Sequence, residues 1–271
     1  MIKDITLGQY FPGNSAIHRL DPRTKLLGMI AYIVIVFLVT KTPVFIIPAL
    51  FAAICIYLAR VPFGYVIRSL KPIRFLLVFM FIVNLFMVRT GKTVIAFWII
   101  SITDEAIKQS VYITLRLVLL LVGTSLMTLT TTPNQLTDGL EKALMPLSKI
   151  GVPVHAIAMM MSIALRFIPI LIEETDKIMK AQMARGADFE SGNLLKKVKS
   201  MIPLLVPLFV SAFRRADDLA MAMEARCYNG GEGRTKMKPL RYEGRDRLSY
   251  LIMWLYLALI ILCRIFVPWP Q

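Results

Sequence analysis

Residues 111–129 read VYITLRLVLLLVGTSLMTL, with Arg116 as their only charge. A run this long and this apolar matches the ~20 residues needed to cross a bilayer as a helix. Working outward, the chain repeats the pattern. Leu26–Val39, Pro43–Ala59, Phe75–Val88 and Leu248–Phe266 are further apolar runs, each bounded by Lys, Arg or Pro. The shorter ones reach full span length when flanking Lys and Arg stems snorkel. Thr93–Thr103 is apolar but half a span long, and reads as a partial or tilted helix interrupted by Asp104 and Glu105.

Composition agrees. Of 271 residues, 57% are hydrophobic and 18% charged, below the quarter usual in soluble domains. The net charge of +15 would suggest nucleic acid on a soluble protein. Here the cations flank apolar runs, so we assign them to topology and to anionic membrane lipid, and expect no nucleic-acid partner. The polar first residues, Lys3 and Asp4, do not resemble a cleaved signal, and the run from Leu26 is expected to act as an uncleaved one.

Lys and Arg number four in residues 1–25, four in 60–74, one in 40–42, three in 89–110 and eighteen in 131–247. The positive-inside rule then puts the N-terminus, the 60–74 loop and 131–247 on the cytoplasmic side. The expected fold is all-α and polytopic, with about five transmembrane helices. Four spans and a cytoplasmic N-terminus occupy 1–130, a cytoplasmic domain of about three helices 131–247, and a last span 248–271.

The 131–247 region is too apolar for a plain loop and too charged for a simple set of spans. Thr130-Thr131-Thr132-Pro133 offers an N-cap and a first-turn proline for a helix running to about Lys149. A long helix is predicted from Val154 to Arg185, with Ile157, Met161, Ala164, Ile168 and Leu171 on one face. A second is predicted from Met201 to Arg226, with Leu205, Leu208, Ala212, Ala216, Leu219 and Met223 at the same spacing. The alternative makes 153–172 and 201–213 two more spans; Arg166, Pro203 and Pro207 weigh against it.

The two long helices end alike. Asp176 precedes Ala181-Gln182-Met183-Ala184-Arg185-Gly186, and Asp217 precedes Ala222-Met223-Glu224-Ala225-Arg226-Cys227, at a constant offset of 41. One such ending reads as ordinary capping, an Arg against the helix dipole and a Gly stop. Two on helices of one design point to docking tips, in which small Ala neighbours expose a planar, permanently charged guanidinium to acidic grooves on two partner subunits or at two sites of a dimer. Met159, Met160, Met161, Met179, Met183, Met221 and Met223 suit an adaptable interface, although each singly also suits core packing.

On Pro22-Arg23-Thr24-Lys25, the apolar runs, Thr131-Thr132-Pro133 and the paired Ala-Arg endings, the chain resembles the transmembrane T-component of energy-coupling factor (ECF) transporters, the EcfT and CbiQ family of ABC-type vitamin and metal-ion importers. The resemblance implies a non-enzymatic subunit whose two coupling helices dock onto two ABC-type ATPase subunits through Ala184-Arg185-Gly186 and Ala225-Arg226-Cys227. Cys227 stands where Gly is common, which leaves that helix stop to Asn229 and Gly230. The resemblance further implies that Ile157, Met161, Ala164, Ile168, Leu205, Leu208 and Ala212 face one or more substrate-binding S-components. It also implies a prokaryotic plasma membrane location.

No G-x-x-x-x-G-K-[ST] loop is present, so ATP binding belongs elsewhere. His18 and His155 have no ligand spacing, and Cys55, Cys227 and Cys263 are unpaired in sequence. No metal, disulfide or other cofactor is expected. Glu173 and Glu174 read as a solvated face. Arg116 reads either as a functional intramembrane charge or as a snorkelling one. A membrane-embedded enzyme and a passive assembly scaffold are the competing functions.

Overall fold

The computed structural model describes residues 10–40, 42–88, 90–97, 100–187, 189, 194–230, 237 and 239–266, the backbone alone at 94–97, 100–102 and 194–199. Lys3 and Asp4, and the flanking Lys41, Arg89 and Pro268, lie outside them. The chain forms two compact units: Gly8–Leu140 with Leu240–Gln271, and Glu141–Pro239.

In the first unit, α1 (Pro22–Leu38) starts at Asp21, whose carboxylate accepts the Arg23 amide, with Pro22 in the opening turn. Pro has no amide to leave unpaired there. A 3-10 turn (Thr42–Phe45) leads into α2 (Ile46–Ala59). The expected basic loop at 60–74 is instead largely helical. α3 (Phe63–Leu70) and a 3-10 turn (Lys71–Ile73) run into α4 (Arg74–Met87). Amphipathicity explains the difference: Val66 packs with Ile56, Ala59, Val61 and Leu129, while Arg68 and Lys71 are exposed.

A second correction falls at Thr93–Thr103. Strands β1 (Thr93–Phe97) and β2 (Ile100–Thr103) pair antiparallel, Thr93 opposite Thr103 and Phe97 opposite Ile100. The β-branched run suits a hairpin better than a half helix. Asp104 and Glu105 do not interrupt a span. They open α5 (Asp104–Thr130), capped by the Thr103 hydroxyl accepting the Ala106 amide at 3.2 Å. Carboxylates favour that end of the helix dipole.

α6 (Pro133–Leu144) begins with a reciprocal capping box. Thr132 Oγ1 accepts the Gln135 amide, and Gln135 Oε1 accepts the Thr132 amide. Together these satisfy two donors that a helix start leaves open. α9 (Gly244–Phe266) closes the unit. The core joins Ile35 and Val36 of α1, Ala52 of α2, Leu119 of α5 and Tyr256 and Ile260 of α9. Phe51 and Tyr256 stack with centroids 4.3 Å apart.

Pro22-Arg23-Thr24-Lys25 is a clamp in which every residue has a task. Pro22 packs closely on Gly139, where an added Cβ would come within 3.0 Å. Arg23 pairs with Asp21 at 2.9 Å, donates to the Leu240 carbonyl and lies 4.0 Å over the Tyr242 ring. Thr24 meets the Tyr250 hydroxyl, and the Lys25 ammonium donates to the His18 and Thr130 carbonyls at 3.0 and 2.8 Å. Buried Asp246 accepts the Asp21 and Glu243 amides. The start of α1, the end of α5 and the start of α9 therefore meet at one point.

At the other end of α1, Arg116 of α5 and the Tyr112 hydroxyl both donate to the Val39 carbonyl, at 2.9 and 2.7 Å, and the guanidinium also contacts Tyr112. Arg116 thus satisfies the orphan carbonyl of a helix end.

By length and composition, five helical segments among the described residues could cross a membrane: Thr42–Ala59, Phe63–Met87, Asp104–Thr130, Val154–Ala184 and Gly244–Ile265. α1, with 17 residues, spans about 25 Å of rise against a hydrocarbon core of ~30 Å.

Candidate coupling site

The second unit is a 3-10 turn (Met145–Ile150) and two long helices packed together, α7 (Val154–Ala184) and α8 (Leu194–Ala225). α7 has the predicted extent. α8 starts seven residues before the expected Met201, so Lys196, Lys197 and Lys199, which lie between the two predicted helices, belong to its first two turns. Pro203 and Pro207 are accommodated inside it.

Both helices end in the same hydrogen-bond pattern. After α7, the Gly186 amide donates to the Met183 carbonyl at 2.9 Å and the Ala187 amide to Gln182 at 3.0 Å. After α8, the Cys227 amide donates to Glu224 at 2.8 Å and the Tyr228 amide to Met223 at 3.0 Å. These are Schellman closures, which require a left-handed residue just past the cap. Gly186 supplies it with φ +89° and Cys227 with φ +57°. The helix stop is thus at Cys227 itself, where Asn229 and Gly230 had been expected to provide it. The six tip residues, Ala184, Arg185, Gly186, Ala225, Arg226 and Cys227, are all exposed.

Between the tips and the helix starts, Glu174 of α7 bonds to α8. Arg215 Nε and Nη2 donate to Glu174 Oε2 at 3.2 and 2.9 Å, and the Ser211 hydroxyl donates to Oε1. The carboxylate is not simply solvated, as the sequence reading had it. Glu174 and Arg215 are themselves 41 residues apart, so the repeat offset that matched the tips also matched this pair.

The predicted apolar faces divide. Ile157, Met161 and Ala164 of α7 and Leu205 of α8 are exposed, whereas Ile168, Leu208 and Ala212 are half-buried. Leu208 and Ala212 share the α8 face that carries Ser211 and Arg215. Met201, Ile202, Val206, Phe209, Val210 and Phe213 are also exposed on α8. They fall outside the single stripe of Leu205, Leu208 and Ala212, and their density marks a broader apolar surface. No group of three or more metal-ligating side chains occurs among the described residues.

Fold and site together define a polytopic α-helical membrane protein carrying a pair of like-ended helices with exposed cationic tips. The profile of a family described as cobalt transport protein, CbiQ, matches residues 13–237. Three proteins called energy-coupling factor transporter transmembrane protein EcfT align over nearly their whole length. That of Clostridium kluyveri is 53% identical over 266 residues, 98% of each chain. That of Acidaminococcus fermentans is 52% identical over 268 residues, 99% of this chain and 100% of the relative. That of Bacillus subtilis is 47% identical over 264 residues, 97% and 100%. The chain belongs to the CbiQ family, among the transmembrane components of energy-coupling factor transporters.

Proposed function

We propose that this chain is the coupling subunit of its transporter: two ATPase subunits grip the α7 and α8 tips, and their ATP-driven motion is passed to a substrate-binding membrane subunit. ATP hydrolysis belongs to the partners, vitamins or other micronutrients are the cargo, and the location is the prokaryotic plasma membrane. The observation that carries this reading is the pair of identical Schellman closures, each presenting an exposed Ala-Arg 41 residues from the other. A guanidinium on a short, fixed stop is a rigid fork for an acidic groove. The apolar surface of α7 and α8, from Ile157, Met161 and Ala164 to Leu205 and Phe213, suits a membrane-embedded S-component, with Ile168, Leu208 and Ala212 beneath it.

Topology supports the cytoplasmic placement of 131–247 and of the N-terminus. Gly139 and Leu240 both meet the first turn of α1, so the intervening chain leaves and returns on one side. α7 and α8 then both cross or neither does. α7 is among the segments long and apolar enough to cross, whereas α8, with Arg214, Arg215, Asp217 and Asp218 in its middle, is not among those found in the described residues, which weighs against a crossing pair. The charge excess of the same segments selects the cytoplasm.

The test is co-purification of the complex with its ATPases. Arg185→Glu and Arg226→Glu should each weaken association by ~2–5 kcal/mol, the cost of breaking a buried hydrogen-bonded charge pair. Unchanged assembly and uptake in the double variant would overturn the reading.

A further inference from the structure

The first unit contains an apolar cavity of about 450 Å³ between α1, α2, α5 and α9, within the ~300–1,000 Å³ range of ligand pockets. Met29 and Tyr32 of α1, Cys55 of α2, Leu126 of α5 and Met253 of α9 form its walls. Ile54 and Leu58 of α2 and Leu248 and Ile252 of α9 line it and are also exposed. The cavity therefore opens between α2 and α9 on an apolar outer surface. Lys25 and Arg245 line its polar end, where α1 and α9 begin.

We propose that this cavity is a lipid site, taking one acyl chain of an anionic phospholipid whose phosphate meets Arg245. An empty void of this size would forfeit the dispersion contacts of its lining, and the apolar solvent available at a bilayer-facing mouth is lipid chain. The two cationic residues differ in availability. Lys25 is buried, with its ammonium on the His18 and Thr130 carbonyls. Arg245 is half exposed and pairs with Glu243 at 3.0 Å. A guanidinium has five donors, more than one carboxylate uses, so a phosphate can share it. A basic residue at the interfacial end of an interhelical pocket is the arrangement that holds anionic headgroups.

The fold supplies a clean way to close the site. Gly28 lines the cavity, and a Cβ built there meets nothing within 4 Å. A large side chain at this position would enter the space the chain is assigned to, with no backbone clash.

The experiment is native mass spectrometry of the full chain, delipidated in mild detergent and then given dioleoyl phosphatidylglycerol or dioleoyl phosphatidylcholine. The wild type should retain one phosphatidylglycerol at least tenfold more strongly than phosphatidylcholine. Gly28→Phe should lose both at least tenfold with its thermal melting unchanged, and Gly28→Leu serves the same purpose with a smaller side chain. Arg245→Ala should keep chain binding and lose the headgroup preference. Equal retention of the two lipids by the wild type, or wild-type retention by both Gly28 variants, overturns the proposal. The readout needs no ATPase partner, so it stands or falls apart from the coupling reading.

Discussion

Glu174 and Arg215 occupy the same place in the two halves of the repeat and are bonded to each other, at 2.9 Å. Arg185 lies eleven residues beyond Glu174, and Arg226 eleven beyond Arg215. Each tip therefore stands on an arm of about 16 Å of helix, measured from one shared ion pair. Arg215→Glu should reduce ATP-dependent uptake by reconstituted complex, and Glu174→Arg in the same chain should restore part of it. The pair is partly exposed, so its loss should lower stability by only about 1 kcal/mol. Melting curves and uptake assays would separate a mechanical role from a merely stabilising one: a loss of uptake no greater than the loss of folded protein would reject the former.

Cys227 holds a backbone conformation that costs a side-chain-bearing residue about 1–2 kcal/mol. Cys227→Gly should keep the closure and strengthen it, slowing hydrogen exchange at the Cys227 and Tyr228 positions, whose amides bond to Glu224 and Met223. Cys227→Val, with its branched Cβ, should fray the tip and weaken ATPase co-purification while leaving the α7 tip intact.

Gly123 faces the Tyr32 ring so closely that an added Cβ would sit 2.4 Å from it. Gly123→Ala should force α1 and α5 apart at a cost of about 1–3 kcal/mol, the usual range for overpacking. A melting temperature equal to the wild type's would mean that the ring swings away freely.

Asp246 is buried and accepts two amides, joining the starts of α1 and α9. Asp246→Ala leaves both donors without that acceptor and should cost about 1–3 kcal/mol. Asp246→Asn keeps one amide acceptor and should cost less. Thermal melting in detergent ranks the two.

The apolar runs made α2, α4, α5 and α9 legible, because a bilayer demands a long uninterrupted apolar segment. The offset of 41 made both tips legible for the same reason that it later fitted Glu174 and Arg215: a repeated design repeats its partners. What stayed hidden depended on tertiary placement. Charge density alone made Phe63–Ile73 look like a loop, since the burial of Val66 comes from residues far along the chain. Thr93–Thr103 has the length of half a helix and the β-branching of a hairpin, and the count of apolar residues ignored the second. Arg116 was ambiguous because its partner, the Val39 carbonyl, belongs to the backbone and leaves no trace in residue type. The cavity had no sequence signal, as its walls come from four helices.

The grip of Arg116 on the Val39 carbonyl also carries a consequence for biogenesis. A guanidinium within an apolar span is costly until it finds an acceptor, and its acceptor is synthesised more than seventy residues earlier. When α5 emerges from the ribosome, the end of α1 is already available to receive it. Reversing that order by circular permutation would bring the cation into lipid before its carbonyl exists.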